Sequence, residues 1–487
     1  MIMNRNNRCM VLFLCALLIV ITWLVVIMDP RSLLSSSTDI RNMAYNLSTR
    51  WNLPKNLSDL NEKLNPDPFI ETETSSFSYP EPVDPDNWQT VVPDKIFVYS
   101  AHLDSWNFVE SIIHVLGTIL HTELTNPNRI RLFCKIWTFR EDTQIPNVYI
   151  SEITEVNDLL KTWADMYWSS HLSRILFYGY FMAYFRYRDV EYVCRFNMAS
   201  DNLSNSVVQI VTDYKEEPNN AMKLHSNFKT GLNLNFTVCL ERPLFGNIPS
   251  RWFVEWIEAN VIFGAEKIII HNKSLPEYLD PYVNYYKSIG LLEVIPWHLQ
   301  LLSINKTVTL THMDLQMTMI YDCFYRLQKY SRYIVYIDID ELIVPRSPSD
   351  RTWSDMIRHL NCSLCSHSYG ARQMLFNLCH SSRNNTTLIT MDARDRNTEI
   401  SKYSSRSKYI ANTFCIRSLS IHFAYGGVEN SSTCVMPIEI GGLHHYKGIK
   451  ISRTTQDDTM IKYRTELQRR FQITEENVIA HLWKQHL

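Results

Sequence analysis

An uncharged apolar stretch near the amino terminus constrains this 487-residue chain more than any other feature. It runs from Met10 to Met28, 19 residues without Asp, Glu, Lys or Arg. As a helix it would extend about 28 Å, close to the ~30 Å hydrocarbon layer of a membrane. A cleavable signal peptide is the alternative, but its apolar region is usually about 7–15 residues and ends at small residues. Arg5 and Arg8 precede the stretch and no acidic residue does, so we expect a signal anchor with a cytoplasmic amino terminus, as in type II membrane proteins.

Cysteine and asparagine usage agrees with an oxidising lumen beyond this anchor. Nine of the 11 cysteines follow it, and most should pair there, with at least one left over because nine is odd. Cys362 and Cys365 have a C-x-x-C spacing, but no second such pair accompanies them, so disulfide use is favoured over zinc. Ten Asn-x-Ser/Thr glycosylation motifs also occur, at Asn46, Asn56, Asn202, Asn235, Asn272, Asn305, Asn361, Asn384, Asn385 and Asn430.

Charge and glycine content exclude two broad classes of function. The 48 Lys and Arg residues balance 50 Asp and Glu, so no basic excess is available to neutralise a nucleic-acid backbone. Only 12 glycines occur, and neither G-x-G-x-x-G nor G-x-x-x-x-G-K-[ST] is present, which argues against a glycine-rich phosphate loop. With 45% apolar residues the chain has ample material for a buried core.

Composition and periodicity divide the chain into parts. After the anchor, a segment rich in Ser, Asn, Pro, Asp and Glu has no apolar periodicity and is typical of a stem. Ordered structure should begin near Val91. The expected parts are a cytoplasmic tail (1–9), the transmembrane anchor (10–28), the stem (29–90), an amino-terminal luminal subdomain (91–234), a catalytic domain (235–450) and a carboxyl-terminal helical segment (451–487).

Strand and helix patterns alternate from Asn235 onward. Apolar β-rich runs predict strands at 236–240, 267–270, 291–295 and 333–337. The spacing of apolar residues predicts helices over 251–264, where Gly264 marks the end, and over 311–330. Two further strands are expected at 95–100 and 129–137. Alternation of this kind indicates an α/β domain with a mainly parallel sheet, preceded by an α/β extension.

Acidic residues follow the last of these strands. Asp338 and Asp340 come directly after the apolar run 333–337, where ligands bind in open α/β sheets. If the strand continues, its alternation projects both carboxylates to one side. Two such carboxylates suit a hard divalent ion that is also held by substrate phosphates. The plain alternative is a pair of turn residues on an exposed loop.

A nucleotide-sugar donor would fit such a site. Breaking its anomeric bond leaves a nucleoside diphosphate whose growing negative charge a divalent cation stabilises as a Lewis acid. Direct displacement also needs an Asp or Glu base that takes the proton of the acceptor hydroxyl.

The ordered motifs of the chain resemble those of glycosyltransferase family 92. The resemblance covers roughly residues 95–448 and is strongest over 235–345. Its motifs are Val98-Tyr-Ser-Ala-His-Leu-Asp104, Val238-Cys-Leu-Glu-Arg-Pro-Leu-Phe-Gly246, Glu255-Trp-Ile-Glu258, Phe263-Gly-Ala265, Tyr321-Asp-Cys-Phe-Tyr-Arg326, Asp338-Ile-Asp-Glu-Leu-Ile-Val-Pro345 and His444-His-Tyr446. One departure is His102-Leu103, where the family usually has an aromatic pair.

The resemblance implies a luminal inverting transferase with a GT-A-like, Rossmann-type fold. It implies UDP-galactose or another UDP-hexose as donor, a glycan acceptor, and Mn²⁺ at Asp338 and Asp340. Extended geometry turns His444 and His445 to opposite sides, and the resemblance favours His445 as a further metal ligand. Four residues are expected at the donor site: Glu241, Arg242, His271 and Asp338.

The sequence does not single out the base. Acidic candidates between the D-x-D motif and the late histidine are Asp392, Asp395, Glu429 and Glu439. Lys408 and His422 are further residues that could face the diphosphate or the acceptor, with a core or surface role as the alternative.

Three functions remain open at this point. The first is a Golgi galactosyltransferase acting on glycoprotein or glycolipid glycans. The second is a phosphohydrolase of the haloacid dehalogenase kind, which also uses an apolar strand followed by D-x-D. The motif of that family has Thr or Val two residues after the second Asp, whereas this chain has Leu342. Asp457 and Asp458 would have to supply the later acidic pair of the phosphohydrolase site. The third is a non-catalytic luminal membrane glycoprotein.

Overall fold

The computed structural model describes most of the chain beyond residue 68, and all of these residues belong to one compact unit, 68–487. The described residues are 69–71, 80, 87–104, 111–126, 128–139, 146–161, 185–196, 203, 205–215, 219–226, 233–299, 313–363, 365–378, 388–449 and 451–485. The predicted tail and anchor lie outside them, as does most of the stem. None of the helices in these ranges combines the length and the apolar character needed to cross a membrane.

A ten-stranded sheet forms the amino-terminal part. Its strands pair antiparallel, except that β10 (Met222–His225) is parallel to β3 (Ile96–Leu103). Strand β3 is buried along its whole length, because other parts of the protein pack on both of its faces. The order is β1-β6-β5-β9-β10-β3-β4-β8-β7, with β2 on β3. The elements are β1 (Phe69–Glu71), β2 (Gln89–Val92), β3 (Ile96–Leu103), β4 (Ser111–Leu120), α1 (His121–Thr125), β5 (Phe133–Phe139), β6 (Pro146–Glu152), β7 (Glu155–Asp158), β8 (Tyr187–Phe196), β9 (Val207–Val211) and β10 (Met222–His225).

An eight-stranded sheet follows, and its first five strands are mutually parallel, as the alternating pattern predicts. The order is β12-β13-β11-β15-β20-β17-β23, and β14 pairs with β13. The last three strands come later in the chain and are β17 (Ser366–Ala371), β20 (Lys408–Asn412) and β23 (Ser432–Val435). The elements up to β15 are β11 (Leu234–Leu240), β12 (Leu244–Phe245), α2 (Ser250–Phe263), β13 (Lys267–Ser274), a 3-10 turn (Glu277–Leu279), α3 (Asp280–Ser288), β14 (Leu292–Pro296), α4 (Gln316–Leu327) and β15 (Ser331–Ile337). Helix α4 is shorter than the predicted 311–330.

A five-stranded sheet of order β16-β24-β18-β19-β25 begins where β15 ends, and β21 pairs with β22 separately. The remaining elements are β16 (Glu341–Pro345), α5 (Trp353–Leu360), β17 (Ser366–Ala371), β18 (Gln373–Asn377), α6 (Ile389–Asp392), β19 (Asp395–Ile400), β20 (Lys408–Asn412), β21 (Ile416–Ser418), β22 (Gly426–Gly427), β23 (Ser432–Val435), β24 (Gly441–Lys447), β25 (Thr454–Gln456), a 3-10 turn (Thr459–Tyr463) and α7 (Arg464–Gln485).

Helix α2 illustrates why these elements form. Its apolar residues Trp252, Phe253, Trp256 and Ile257 share one face, as the spacing predicts, and that face is buried against the eight-stranded sheet. The helix ends at Gly264, whose φ of 119° is a left-handed conformation that glycine adopts without steric cost.

Helices cover both faces of the eight-stranded sheet. Val238 of β11 packs with α2 and α3 on one face, whereas the neighbouring Cys239 packs with α4 on the other. Helix α4 lies between this sheet and the amino-terminal sheet, because Tyr99 and Leu116 share its core cluster. The carboxyl edge of the parallel strands is therefore held by packing from two sides.

Four disulfides join the cysteines in the described ranges: Cys134–Cys194, Cys239–Cys323, Cys362–Cys434 and Cys365–Cys415. The prediction that most cysteines pair is confirmed, and both cysteines of the C-x-x-C motif form disulfides rather than a zinc site. The ninth, Cys379, lies outside the described residues.

Candidate active site

The acidic residues after β15 lie in a turn that passes from one sheet to the next. Strand β15 ends at Ile337, and β16 begins at Glu341 in the five-stranded sheet. Because Asp338 and Asp340 are in the turn rather than in a continuing strand, the alternation that would place them on one side does not apply. Asp338 contacts Lys408, and Asp340 contacts His445.

Helix α2 fixes the backbone of this turn. The indole N–H of Trp252 donates to the carbonyl of Ile339 (2.8 Å), and that of Trp256 donates to the carbonyl of Glu341 (2.9 Å). Both tryptophans are buried, so water does not compete for these bonds. The position of the acidic turn is therefore set by a helix that the sequence pattern predicts.

A buried lysine joins three carboxylates on one side of the turn. The Nζ atom of Lys408 donates to Glu241, lies 3.2 Å from Asp338 Oδ2 and lies 3.5 Å from Glu341 Oε2. Burial alone would lower the pKa of Lys408, but the carboxylates of Asp338, Glu241 and Glu341 outweigh it and raise that pKa above its ordinary value. We call these four residues the Lys408 cluster.

Two acceptor atoms of the Lys408 cluster are buried and unpartnered. Within the described residues, neither Glu241 Oε1 nor Asp338 Oδ1 has a hydrogen-bond partner. A buried acceptor left unpaired costs about 1–3 kcal/mol, and such atoms are rare in folded proteins. These two oxygens are therefore placed to receive N–H or O–H groups, or a cation, from a bound molecule.

His445 occupies the other side of the turn. Its Nε2 lies 3.0 Å from Asp340 Oδ2, and its Nδ1 lies 3.2 Å from Glu341 Oε1 and 2.9 Å from Gln373 Nε2. Burial would raise the pKa of Asp340, but the hydrogen bond with His445 lowers it below its ordinary value. Glu341 also accepts the backbone N–H of Asp338 (3.0 Å), so it connects both halves of the site.

Alternation along β24 separates the two adjacent histidines, as extended geometry predicts. His444 faces away from Asp340 and contacts Arg346 (2.9 Å) on the other side of the sheet. Arg346 in turn donates to Asp457 (2.8 Å), which also accepts from Arg396. Asp457 is thus held by two arginines on the side of the sheet away from His445, which removes it as the later acidic residue of a phosphohydrolase.

The side chains on the His445 side have the chemistry of a divalent-metal site without forming a closed one. Carboxylate oxygen and imidazole nitrogen are ligands that Mn²⁺ accepts, and both Asp340 and His445 offer them. No group of three or more His, Cys, Asp or Glu side chains in the described ranges is arranged to hold a metal by itself. Such a donor set suits an ion that takes its remaining ligands from substrate phosphates.

The predicted donor-site residues divide into two groups. Glu241 and Asp338 belong to the Lys408 cluster, and Arg242 is exposed beside Glu241, where it contacts Met313. His271 lies elsewhere: it is buried, and its Nε2 is 3.0 Å from Asp322 Oδ2. The structure therefore does not bring His271 to the acidic turn.

The four base candidates occupy different places. Asp392 ends α6, while Glu429 and Glu439 are exposed in turns on either side of β23. Asp395 begins β19, next to Arg396, which pairs with Phe376 and contacts Asp457 on the His444 side. Because neighbouring side chains of a strand alternate, Asp395 faces the side of the five-stranded sheet that carries His445.

Three residues of the site have no neighbouring sequence motif from which their roles could be predicted. Lys408 begins a buried strand, and its importance depends on the antiparallel register of β20, in which Tyr409 pairs with Tyr336 of β15. Glu341 reads as the first residue of an apolar strand, and Gln373 lies far from His445 in the chain. Only the pairing of distant strands reveals these roles.

Comparison with known proteins adds one match. A protein-family model described as Glycosyltransferase family 92 matches residues 235–483. The match runs from β11 into α7 and includes the acidic turn, Lys408 and His445. No curated protein matches the chain significantly.

Proposed function

The chain belongs to glycosyltransferase family 92, and on this premise we propose that it moves a hexose, with galactose as the leading candidate, from a UDP-sugar to a glycan acceptor. The observation that carries the proposal is the pair of buried, unpartnered oxygens of Glu241 and Asp338 beside the Asp340–His445 pair. Together they offer acceptors for a nucleoside and ligands for a diphosphate-bound ion. We further propose that the domain from residue 235 has a GT-A-like fold.

In this proposal the nucleoside binds at the Lys408 cluster. Ribose hydroxyls and the imide N–H of uracil are hydrogen-bond donors, which Glu241 Oε1 and Asp338 Oδ1 lack in the described structure. Lys408 supplies one positive charge to the three carboxyl groups and holds them around its Nζ atom. The guanidinium of Arg242 is exposed at the same sheet edge and would pair with the diphosphate.

The diphosphate and its metal bind on the other side of the turn. Asp340 and His445 would hold Mn²⁺, with Asp338 as a further carboxylate of the same turn. When bound, the ion would supply Lewis-acid stabilisation of the departing nucleoside diphosphate. Glu341 keeps His445 oriented through its Nδ1, an arrangement typical of histidines that ligate a metal through Nε2.

Among the base candidates, Asp395 is favoured by its position. Two strand spacings separate β19 from β24, so Asp395 is about 10 Å from the strand of His445, on the same side of the sheet. No hydrogen bond or ion pair to its carboxylate occurs among the described residues, which leaves it available to take the proton of an acceptor hydroxyl.

A pair of substitutions tests this assignment. Asp395→Asn should lower the rate of transfer at least about 100-fold while UDP binding, measured by calorimetry, stays unchanged. Asp392→Asn is the matched control and should retain transfer. Equal rates for Asp395→Asn and the wild type would remove Asp395 as the base.

The location is also part of the proposal. The uncharged stretch at 10–28 and the four disulfides support a type II protein whose catalytic part lies in the Golgi lumen.

A donor panel tests the proposed reaction. The purified full-length protein would be offered several UDP-sugars with Mn²⁺ and mixed glycan acceptors, and acceptor mass would be monitored. We expect a hexose increment from UDP-galactose that EDTA abolishes. Absence of any increment from every donor, together with absence of UDP binding by calorimetry, would favour a non-catalytic glycoprotein instead.

A further inference from the structure

The outer strand of the eight-stranded sheet has an open side. Among the described strands, β23 pairs only with β17, so the backbone groups on its other side have no strand partner. Val435 at its end is 41% exposed. An open edge with exposed apolar residues is a template for pairing with another chain, and proteins usually protect such edges.

Two of the ten glycosylation motifs lie beside this strand. Asn361 directly follows α5, and Asn430 lies in the turn before β23. Both are exposed and have left-handed backbones, with φ of 45° and 61°. The serines that complete their motifs, Ser363 and Ser432, are exposed as well. Exposed turns of this kind leave room for a bulky, solvated sugar.

A disulfide brings the two asparagines to the same edge. Asn361 is followed by Cys362, which is bonded to Cys434 within β23. Asn430 precedes the first residue of β23 by two positions. The turn containing Asn361 is thereby tied to the strand that follows Asn430.

We propose that Asn361 and Asn430 carry N-linked glycans and that these glycans cover the open edge of β23. In each attachment, the side-chain amide nitrogen bonds to the anomeric carbon of an oligosaccharide carried on a lipid diphosphate. The anomeric carbon–oxygen bond to that diphosphate breaks, the diphosphate keeps the electron pair, and the amide proton passes to a base of the attaching enzyme.

Asn235 provides the contrast, because it has the same motif in a half-buried position where a glycan would replace an existing hydrogen bond. Its Nδ2, the atom that would be modified, donates to Ser354 Oγ (3.2 Å). Thr237, which completes the motif, is fully buried and bonded to Ser331. The motif alone does not distinguish Asn361 and Asn430 from Asn235, but the motif and the burial of its residues together do.

Site mapping tests the modification without reference to transferase activity. The full-length chain would be made in animal cells, treated with peptide N-glycosidase in ¹⁸O water and analysed by peptide mass spectrometry. We expect isotopic labelling at Asn361 and Asn430 and none at Asn235. Unlabelled Asn361 and Asn430, or a labelled Asn235, would overturn the proposal.

Removal of the glycans tests their role at the edge. The double variant Ser363→Ala/Ser432→Ala keeps both asparagines but destroys both motifs, and we expect a several-fold larger oligomeric fraction in size-exclusion chromatography. Adding Val435→Lys should restore the monodisperse form, since a charged residue blunts an open strand edge. Asn219→Gln, at an exposed asparagine outside any motif, is the control. A monodisperse double variant would show that the glycans do not protect β23.

Discussion

Two buried clusters of charge in this molecule have opposite compositions. The Lys408 cluster surrounds one cation with three carboxylates, and two of its oxygens have no partner among the described residues. The second cluster surrounds one carboxylate, Asp322, with four donors: Ser100 (2.7 Å), His102 (3.1 Å), His271 (3.0 Å) and Arg326 (2.7 Å). We call it the Asp322 cluster.

The two clusters differ in whether their carboxylates still have unpaired oxygens, and this distinguishes a binding site from a structural cluster that holds elements together. Both Asp322 oxygens accept two bonds each, so this carboxylate has nothing left to offer a ligand. Burial opposes its ionisation, but Arg326, His102 and His271 outweigh burial and hold the pKa of Asp322 well below its usual range. The Asp322 cluster joins β3, β13 and α4. The Lys408 cluster, by contrast, retains unused acceptor capacity at a sheet edge.

The largest effect is expected at the acidic turn. Asp340→Ala should abolish transferase activity, at least about 100-fold, because it removes a carboxylate from the site and not from the core. The thermal midpoint should stay near that of the wild type. Full activity in this variant would show that Asp340 has no role in catalysis. Loss of folding would show that Asp340 stabilises the structure, as we infer for Asp322.

Asp322→Asn should have the reverse profile. Loss of the negative charge breaks the ion pair between Asp322, which is fully buried, and Arg326, and breaking such a pair typically costs about 3–5 kcal/mol of stability. Urea unfolding measures this loss, and the exposed Asp213→Asn is the control with almost no change. A loss below about 1 kcal/mol would contradict the structural role of Asp322.

The protonation of His102 should make the stability of the protein depend on pH. Burial lowers the pKa of His102 from its ordinary 6.5 to about 4, even though Asp322 opposes that shift. The unfolded chain therefore takes up a proton before the folded one does, and stability should fall as the pH drops from about 6.5 to about 4, by up to ~3 kcal/mol. Denaturation at several pH values should show a shallower decline in His102→Gln, and identical declines would refute this origin.

Glu341→Gln should give the smallest of these effects. The amide keeps the shape of the side chain but weakens the support of His445 Nδ1, and loss of such an outer partner typically costs about 10–100-fold in metal affinity. Calorimetric titration with Mn²⁺ in the presence of saturating UDP measures this affinity, because the diphosphate supplies the remaining ligands. Glu399→Gln, on the exposed side of β19, should leave the affinity unchanged. Unaltered Mn²⁺ binding in Glu341→Gln would exclude a supporting role for Glu341.

Local pattern predicted the parts of the fold that depend on local physics. The apolar run 333–337, the acidic residues after it and the stop of α2 at Gly264 all follow from neighbouring residues. The partners of these residues depend on strand register across long sequence separations. Lys408 meets Asp338 only because β20 pairs antiparallel with β15, and His271 meets Asp322 only because α4 packs over β13.

The two tryptophans of α2 have an evolutionary consequence. Their indoles bond to backbone carbonyls of the acidic turn, Ile339 and Glu341, and not to its side chains. These two bonds to the turn therefore do not depend on which residues occupy positions 338 and 340. A descendant of this chain that exchanges either aspartate changes the chemistry of the site and still inherits both bonds that hold the backbone of the turn.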